Sequence, residues 1–168
     1  MTISLTASVG LALTAAYANS LDMGAVSYLA NFKPNFVFSD GTGANQAKYL
    51  FTDTRTLAAS ATENLDLAGV LTDAFGNTLT FDKIKALIIT ADATNTNDVL
   101  VGGAATAQAS AFFGDVTDVV KVRPGGMVAL VAPDATGYDV TATTADLLKL
   151  ANSGAGTGVT YTIVLIGV

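Results

Sequence analysis

The sequence predicts an all-β fold: a β-sandwich or jelly-roll of antiparallel sheets with an extended N-terminal arm. Three observations carry that expectation. Thr, Val, Ile, Tyr and Phe dominate the periodic stretches, the residues that suit a pleated, half-buried surface. Turn residues interrupt these stretches roughly every 8–14 positions, the spacing of short strands joined by loops. Helical signals are weak, being confined to Thr56–Leu67, the Ala-rich Gly102–Phe113 and Ala145–Leu150, and the last of these reads equally well as a strand.

In chain order, Ile3, Leu5, Ala7, Val9, Leu11 and Leu13 alternate with small or polar residues, which predicts one strand over Ile3–Leu13. Further strands are expected at Gly24–Phe32, Asn35–Ser39, Lys48–Leu57, Glu63–Leu67, Thr78–Phe81, Lys83–Ala91, Val99–Val101, Val119–Val122, Met127–Ala132, Ala145–Leu150 and Val159–Ile166. Between them lie the turn signals Asp40–Gly43, Asp73–Asn77, Gly102-Gly103, Pro124–Gly126, Pro133–Gly137 and Ser153–Gly158. Lys83–Thr90 alternates and then runs Leu87-Ile88-Ile89, which predicts a wet start and an end covered on both faces. Val159, Tyr161, Ile163 and Leu165 form one apolar face of the last strand, and a second begins at Val164. That strand is expected to be central in a sheet.

Residues 1–21 are uncharged, and Ala16-Tyr17-Ala18 has the small-x-small form of a signal cleavage site. There is no Lys or Arg ahead of it, however, and Thr2, Ser4, Thr6 and Ser8 break up any apolar core. The run is also too polar for a membrane span. It reads as an uncleaved arm or first strand over 1–21, followed by a single sandwich domain over 22–168.

Composition narrows the chemistry. The 168 residues include no His, Cys or Trp and a single Glu, Glu63, while Ala, Thr and Gly make up 68 of them. Disulfide scaffolds, thiolate or imidazole metal centres and His- or Cys-based catalytic relays are thereby excluded. Charged residues are 13% of the chain, about half the usual share. A compact monomer of 17.0 kDa exposes roughly 7,700 Å², and 22 charges cover that area thinly. Either Thr, Ser, Asn and Gly supply the polar surface, or much of the surface is buried against copies or partners; the second is the favoured expectation. Net charge is −6 and the eight basic residues are scattered, so no nucleic-acid footprint is expected.

Four constellations invite a chemical reading. Asp92–Asp98 offers oxygens at alternate positions, as calcium requires, but lacks the Gly and terminal Glu of an EF-hand. A loop capping its own backbone is the simpler reading, and no metal or other cofactor is expected. Glu63/Asp66 and Asp115/Asp118 are carboxylate pairs, but on a strand residues three apart face opposite ways, and no Trp is present to stack on a sugar. Gly154–Gly158 leads into a strand rather than the helix that would hold a phosphate. Phe112-Phe113 follows a flexible Ala/Ser stretch and reads as one core ring and one spare ring, or as an apolar anchor for a neighbouring subunit. No catalytic residue is identified. The candidate assembly contacts are Ile3, Leu5, Val9, Leu11, Phe112 and Phe113.

Four stretches carry a resemblance. They are Gly41–Ala47 with Asp53–Leu57; Glu63–Gly69 with Asp73–Gly76; Val122–Gly126; and Thr144–Asn152 with the Tyr-containing final strand. In these the chain resembles small β-sandwich structural proteins of tailed bacteriophage virions. The resemblance implies a β-sandwich virion component, often trimeric, of a kind that decorates the capsid exterior or belongs to tails or head fibres. The favoured expectation is a non-enzymatic capsid decoration (cement) protein on the capsid exterior, a homotrimer that binds the major capsid protein, with neither nucleic acid nor membrane as a partner. Alternatives are a tail or head-fibre component contacting the host, or a secreted carbohydrate-binding module or adhesin.

Overall fold

The computed structural model of the chain describes residues 3–168. Among these the strands are β1 (Ala7–Gly10), β2 (Leu13–Leu21), β3 (Gly24–Phe32), β4 (Asn35–Asp40), β5 (Gln46–Ala47), β6 (Tyr49–Leu57), β7 (Thr62–Asp66), β8 (Leu71–Thr72), β9 (Thr78–Leu79), β10 (Lys83–Ala91), β11 (Val99–Gly102), β12 (Val119–Val122), β13 (Met127–Val131), β14 (Tyr138–Asp139), β15 (Leu147–Asn152) and β16 (Val159–Gly167). The Ala-rich stretch contributes only a 3-10 turn, Ser110–Phe112. Ala145–Leu150, the residual helical candidate, is strand from Leu147 on. The all-β expectation holds.

Two antiparallel sheets form the sandwich. One has the order β13-β10-β16-β6, with β14 continuing the β13 edge of β10; the other has the order β12-β11-β15-β7. Their inner faces meet in one core, with Leu87, Ile89, Tyr161, Ile163 and Leu165 opposite Leu65, Val99, Val101, Leu148 and Leu150. β16 is central, with β10 on one side and β6 on the other, as its double apolar pattern predicts.

A third layer explains that second apolar face. β1 pairs with β4, and Ala7, Val9, Phe36 and Phe38 pack on Ala86, Val131, Val164 and Ile166, on the outer side of the first sheet. This cover reverses the expected polarity of β10. Residues Ile84–Leu87 are buried without a break, whereas Ile88 and Thr90 are half-buried. The sheltered end is therefore the N-terminal one, and it includes Lys85. That residue lies at a bulge where β10 gains one position on β16 between the pairs Ile84–Gly167 and Ala86–Ile166. A Cβ on Gly167 would come within 2.3 Å of the Lys83 carbonyl oxygen, so glycine is required there. The fully buried Lys85 donates from Nζ to the Asp134 carbonyl oxygen. Burial pulls the Lys85 ammonium below the usual lysine range, and the nearby Asp134 carboxylate opposes that pull.

The strand expected over Ile3–Leu13 is two separate segments. β1 covers only Ala7–Gly10, and Leu13 begins β2, which pairs with β3. The ladder is interrupted at Pro34, which has no N–H to give; its carbonyl still accepts from the Leu11 amide at 3.2 Å. The short strands β5, β8 and β14 have too few residues to show a period.

Candidate assembly surface

The pairs β1–β4 and β2–β3 are one continuous hairpin. In every pair of both ladders the two residue numbers sum to 45, from Ala7–Phe38 to Leu21–Gly24. The base lies on the sandwich. Beyond Leu11 and Pro34 the hairpin leaves it and runs nine residues per strand, about 30 Å, to a turn at Asp22-Met23. No residue from Leu13 to Phe32 is buried, and only Ala15 and Ala30 are even half-buried. The boundary drawn at residue 21 from the charge-free run thus falls at the hairpin's turn, and the projecting element includes both strands.

Alternation gives the projection two unlike faces. One carries the pairs Leu13–Phe32, Ala15–Ala30, Tyr17–Tyr28, Asn19–Val26 and Leu21–Gly24. The other carries Thr14–Asn31, Ala16–Leu29, Ala18–Ser27 and Ser20–Ala25, with a hydrogen bond from Thr14 Oγ1 to Asn31 Oδ1. The first face continues the base stripe of Ala7, Val9, Phe36 and Phe38 in the same register. At the base the sandwich covers it; farther out Tyr17 is 80% exposed, Tyr28 69% and Phe32 58%. The chain exposes 9231 Å², about 1,500 Å² more than a compact monomer of its mass.

The residues singled out in the sequence fall in different environments. Leu5 and Val9 pack against the small core under the hairpin base. Ile3 and Leu11 are exposed. Ile3 and Leu5 line a groove of about 540 Å³ together with Tyr49, Leu50, Phe75 and Leu79. Phe112 and Phe113 stand edge to face at 6.2 Å, and Phe112 also packs on Tyr138 at 5.2 Å. Both rings are half-buried against the main core. Tyr17, Tyr28 and Phe32, which the sequence does not single out, are exposed on the projection. The available signal was two nine-residue β-forming stretches of equal length flanking Asp22-Met23.

The polar constellations are engaged within the fold. In the 92–98 loop Asp92 accepts from the Thr94 amide and hydroxyl. Asn95 exchanges two hydrogen bonds with the Thr160 backbone, both 2.8 Å. Asp98 faces Lys121 and Arg123 at 3.6 and 3.5 Å. Buried Asn152 ties this loop to two others. Its amide donates to the carbonyls of Ala58 and Thr157, and its oxygen accepts from Asn97 and the Gly154 amide. Among the described residues no group of three or more carboxylates gathers as a metal cluster.

Glu63 and Asp66 face opposite ways, as expected. Asp66 caps the Ala68 amide, while Glu63 closes the open edge between β6 and β7. Arg55 donates to Asp53 at 2.9 Å and to Glu63 at 2.7 Å, and the Tyr161 hydroxyl donates to Glu63 at 2.5 Å. Burial, reinforced by that hydrogen bond and the Glu63 charge, pushes the Tyr161 hydroxyl far above the usual tyrosine range. Burial alone would lower the Arg55 pKa, but the Glu63 hydrogen bond and surrounding negative charges outweigh it and raise it. The arrangement clamps the two edge strands across the sandwich.

Comparisons with protein-family models, with curated proteins and with solved structures found no match. The functional reading therefore rests on the surfaces themselves. Two outer surfaces differ sharply. On the first sheet's outer face the seam between β6 and β16 is hydroxylated: Thr54 pairs with Thr162 at 2.8 Å and Thr56 with Thr160 at 2.9 Å. The hairpin's outward stripe is apolar. The low charge thus has two structural counterparts, a threonine surface that satisfies itself and an apolar surface that lacks cover. Among the described residues no helix is long and apolar enough to cross a membrane.

Proposed function

We propose that this chain is a non-enzymatic structural protein of a tailed-phage virion, a capsid decoration protein bound as a homotrimer to the major capsid protein on the shell exterior. The observation that carries the reading is the projecting hairpin with an uncovered apolar face on a rigid sandwich. A cement protein works through many weak contacts repeated over a lattice, so it needs a stiff body and an element that reaches beyond it. The low charge suits surfaces that are covered in an assembly. The loop residues on which a calcium-dependent adhesin would rely are instead engaged within the fold: Asp92 by Thr94 of its own loop, Asn95 by the Thr160 backbone, Asn97 by Asn152, and Asp98 by Lys121 and Arg123.

Imaging of the virion that contains the chain, with copy counting by quantitative proteomics, tests the proposal. Density is expected at the three-fold positions across the shell. A few copies confined to the tail or a fibre would replace the decoration reading with the host-contact one. Absence from purified particles would overturn both.

A further inference from the structure

We infer that the apolar face of the projecting hairpin is a self-association surface, covered by the same face of other copies of this chain. The inference rests on the assembly reading above and names the contact that would hold the subunits together.

Four features point to a second copy. The first is continuity. The stripe that the sandwich covers at the hairpin base extends in unbroken register into Leu13, Tyr17, Leu21, Val26, Tyr28 and Phe32, all exposed. The second is area. At the exposures of these six side chains the uncovered face amounts to roughly 700 Å². Two such faces packed together would bury about 1,400 Å², within the range of a specific interface.

The third feature is self-complementary relief. Over the first three rows of the projection the face runs large (Leu13–Phe32), small (Ala15–Ala30) and large again (Tyr17–Tyr28). A copy shifted by one row places its large side chains over the small ones, which is how apolar layers interdigitate. The fourth is charge. Asp22 lies in the turn and Lys33 lies just outside β3, so neither strand of the face, Leu13–Leu21 or Gly24–Phe32, carries a charge, and no like charges within it meet when the face packs on itself. An isolated two-stranded hairpin is marginal in water, and packing of this face against copies supplies the missing layer.

The test is the mass of the purified full-length chain by sedimentation velocity between about 1 and 100 µM, a range that brackets micromolar affinities. The wild-type chain is expected to sediment as a multiple of 17.0 kDa. Tyr17→Ser with Tyr28→Ser, on the apolar face, is expected to weaken association at least about 100-fold. Leu29→Ser, on the opposite face, is expected to leave it unchanged. A variant in which a two-residue turn replaces Leu13–Phe32 gives the same readout without depending on how the double variant folds, and it is expected to be monomeric.

A wild-type chain that stays monomeric at 100 µM, or an oligomer that survives both hairpin changes, overturns the inference. The measurement is made without particles, so its failure is separable from that of the virion reading. A monomer that still decorates shells removes only the hairpin contact. A hairpin-dependent oligomer absent from virions removes only the assignment to the virion.

Discussion

The base and the projecting part of the hairpin share one register and one alternating pattern, yet only the base is anchored. At the base, Phe38 is wholly buried between its own strand pair and the outer face of the sandwich. Four residue pairs farther along the same stripe from Phe36, Tyr28 stands almost free in solvent. The local chemistry of the two segments is alike, and the presence of a third layer makes the difference. Side-chain alternation determines which face of a strand is apolar. Cover by another element determines whether that face stabilises the monomer or is left for a partner.

The largest expected effect lies at the base. Phe38→Ala empties a fully buried ring site and should cost about 3–5 kcal/mol, read from the urea midpoint. It should also make the hairpin cleavable by protease while the sandwich resists. A loss below about 1 kcal/mol would show that the base is not anchored as described. A smaller effect is expected inside the sandwich at alkaline pH. The unfolded Tyr161 loses its proton near pH 10, whereas the folded hydroxyl, buried and bonded to Glu63, keeps it. Above pH 10 the unfolded state then binds fewer protons than the native state, so stability must fall as pH rises. The slope approaches about 1.4 kcal/mol per pH unit. Tyr161→Phe should remove that component of the slope, and an unchanged alkaline profile would count against the buried hydroxyl.

The smallest effect is expected from the projection. Replacing Leu13–Phe32 by Asn-Gly between Ala12 and Lys33 keeps the base register and supplies a two-residue turn. In dilute solution the melting curve of the body should shift by less than about 1 kcal/mol, because no buried side chain is removed. Collapse of the fold on shortening would show that the hairpin belongs to the core and would abolish the contrast with the base.

Much of the sandwich was legible in the sequence. Val159–Ile166 declares one continuous apolar face and the start of a second, and β16 is indeed central and doubly covered near its end. The opposite orientation of Glu63 and Asp66 follows from strand period alone. The early lysines of β10 predict a wet start, yet a bulge and the Asp134 loop bury Lys85 and reverse that polarity. Asn152 gave no signal, since two of its four hydrogen-bond partners, Asn97 and Ala58, lie 55 and 94 residues away in the chain. The alternation from Ile3 to Leu13 predicts a single arm, because a periodic pattern carries no mark of where its cover ends.

Residue type and pattern alone set the strand class, the faces of most strands and the exclusion of thiol and imidazole chemistry. These depend on residue type and on a two-residue period, which are local properties of the chain. Long-range contacts were needed to make β1 and β4 a third layer, to bring Tyr161 onto Glu63, and to leave the stripe uncovered from Leu13 to Phe32. Each of these is a contact, or a missing contact, between residues far apart in the chain, and local periodicity holds no record of such distances.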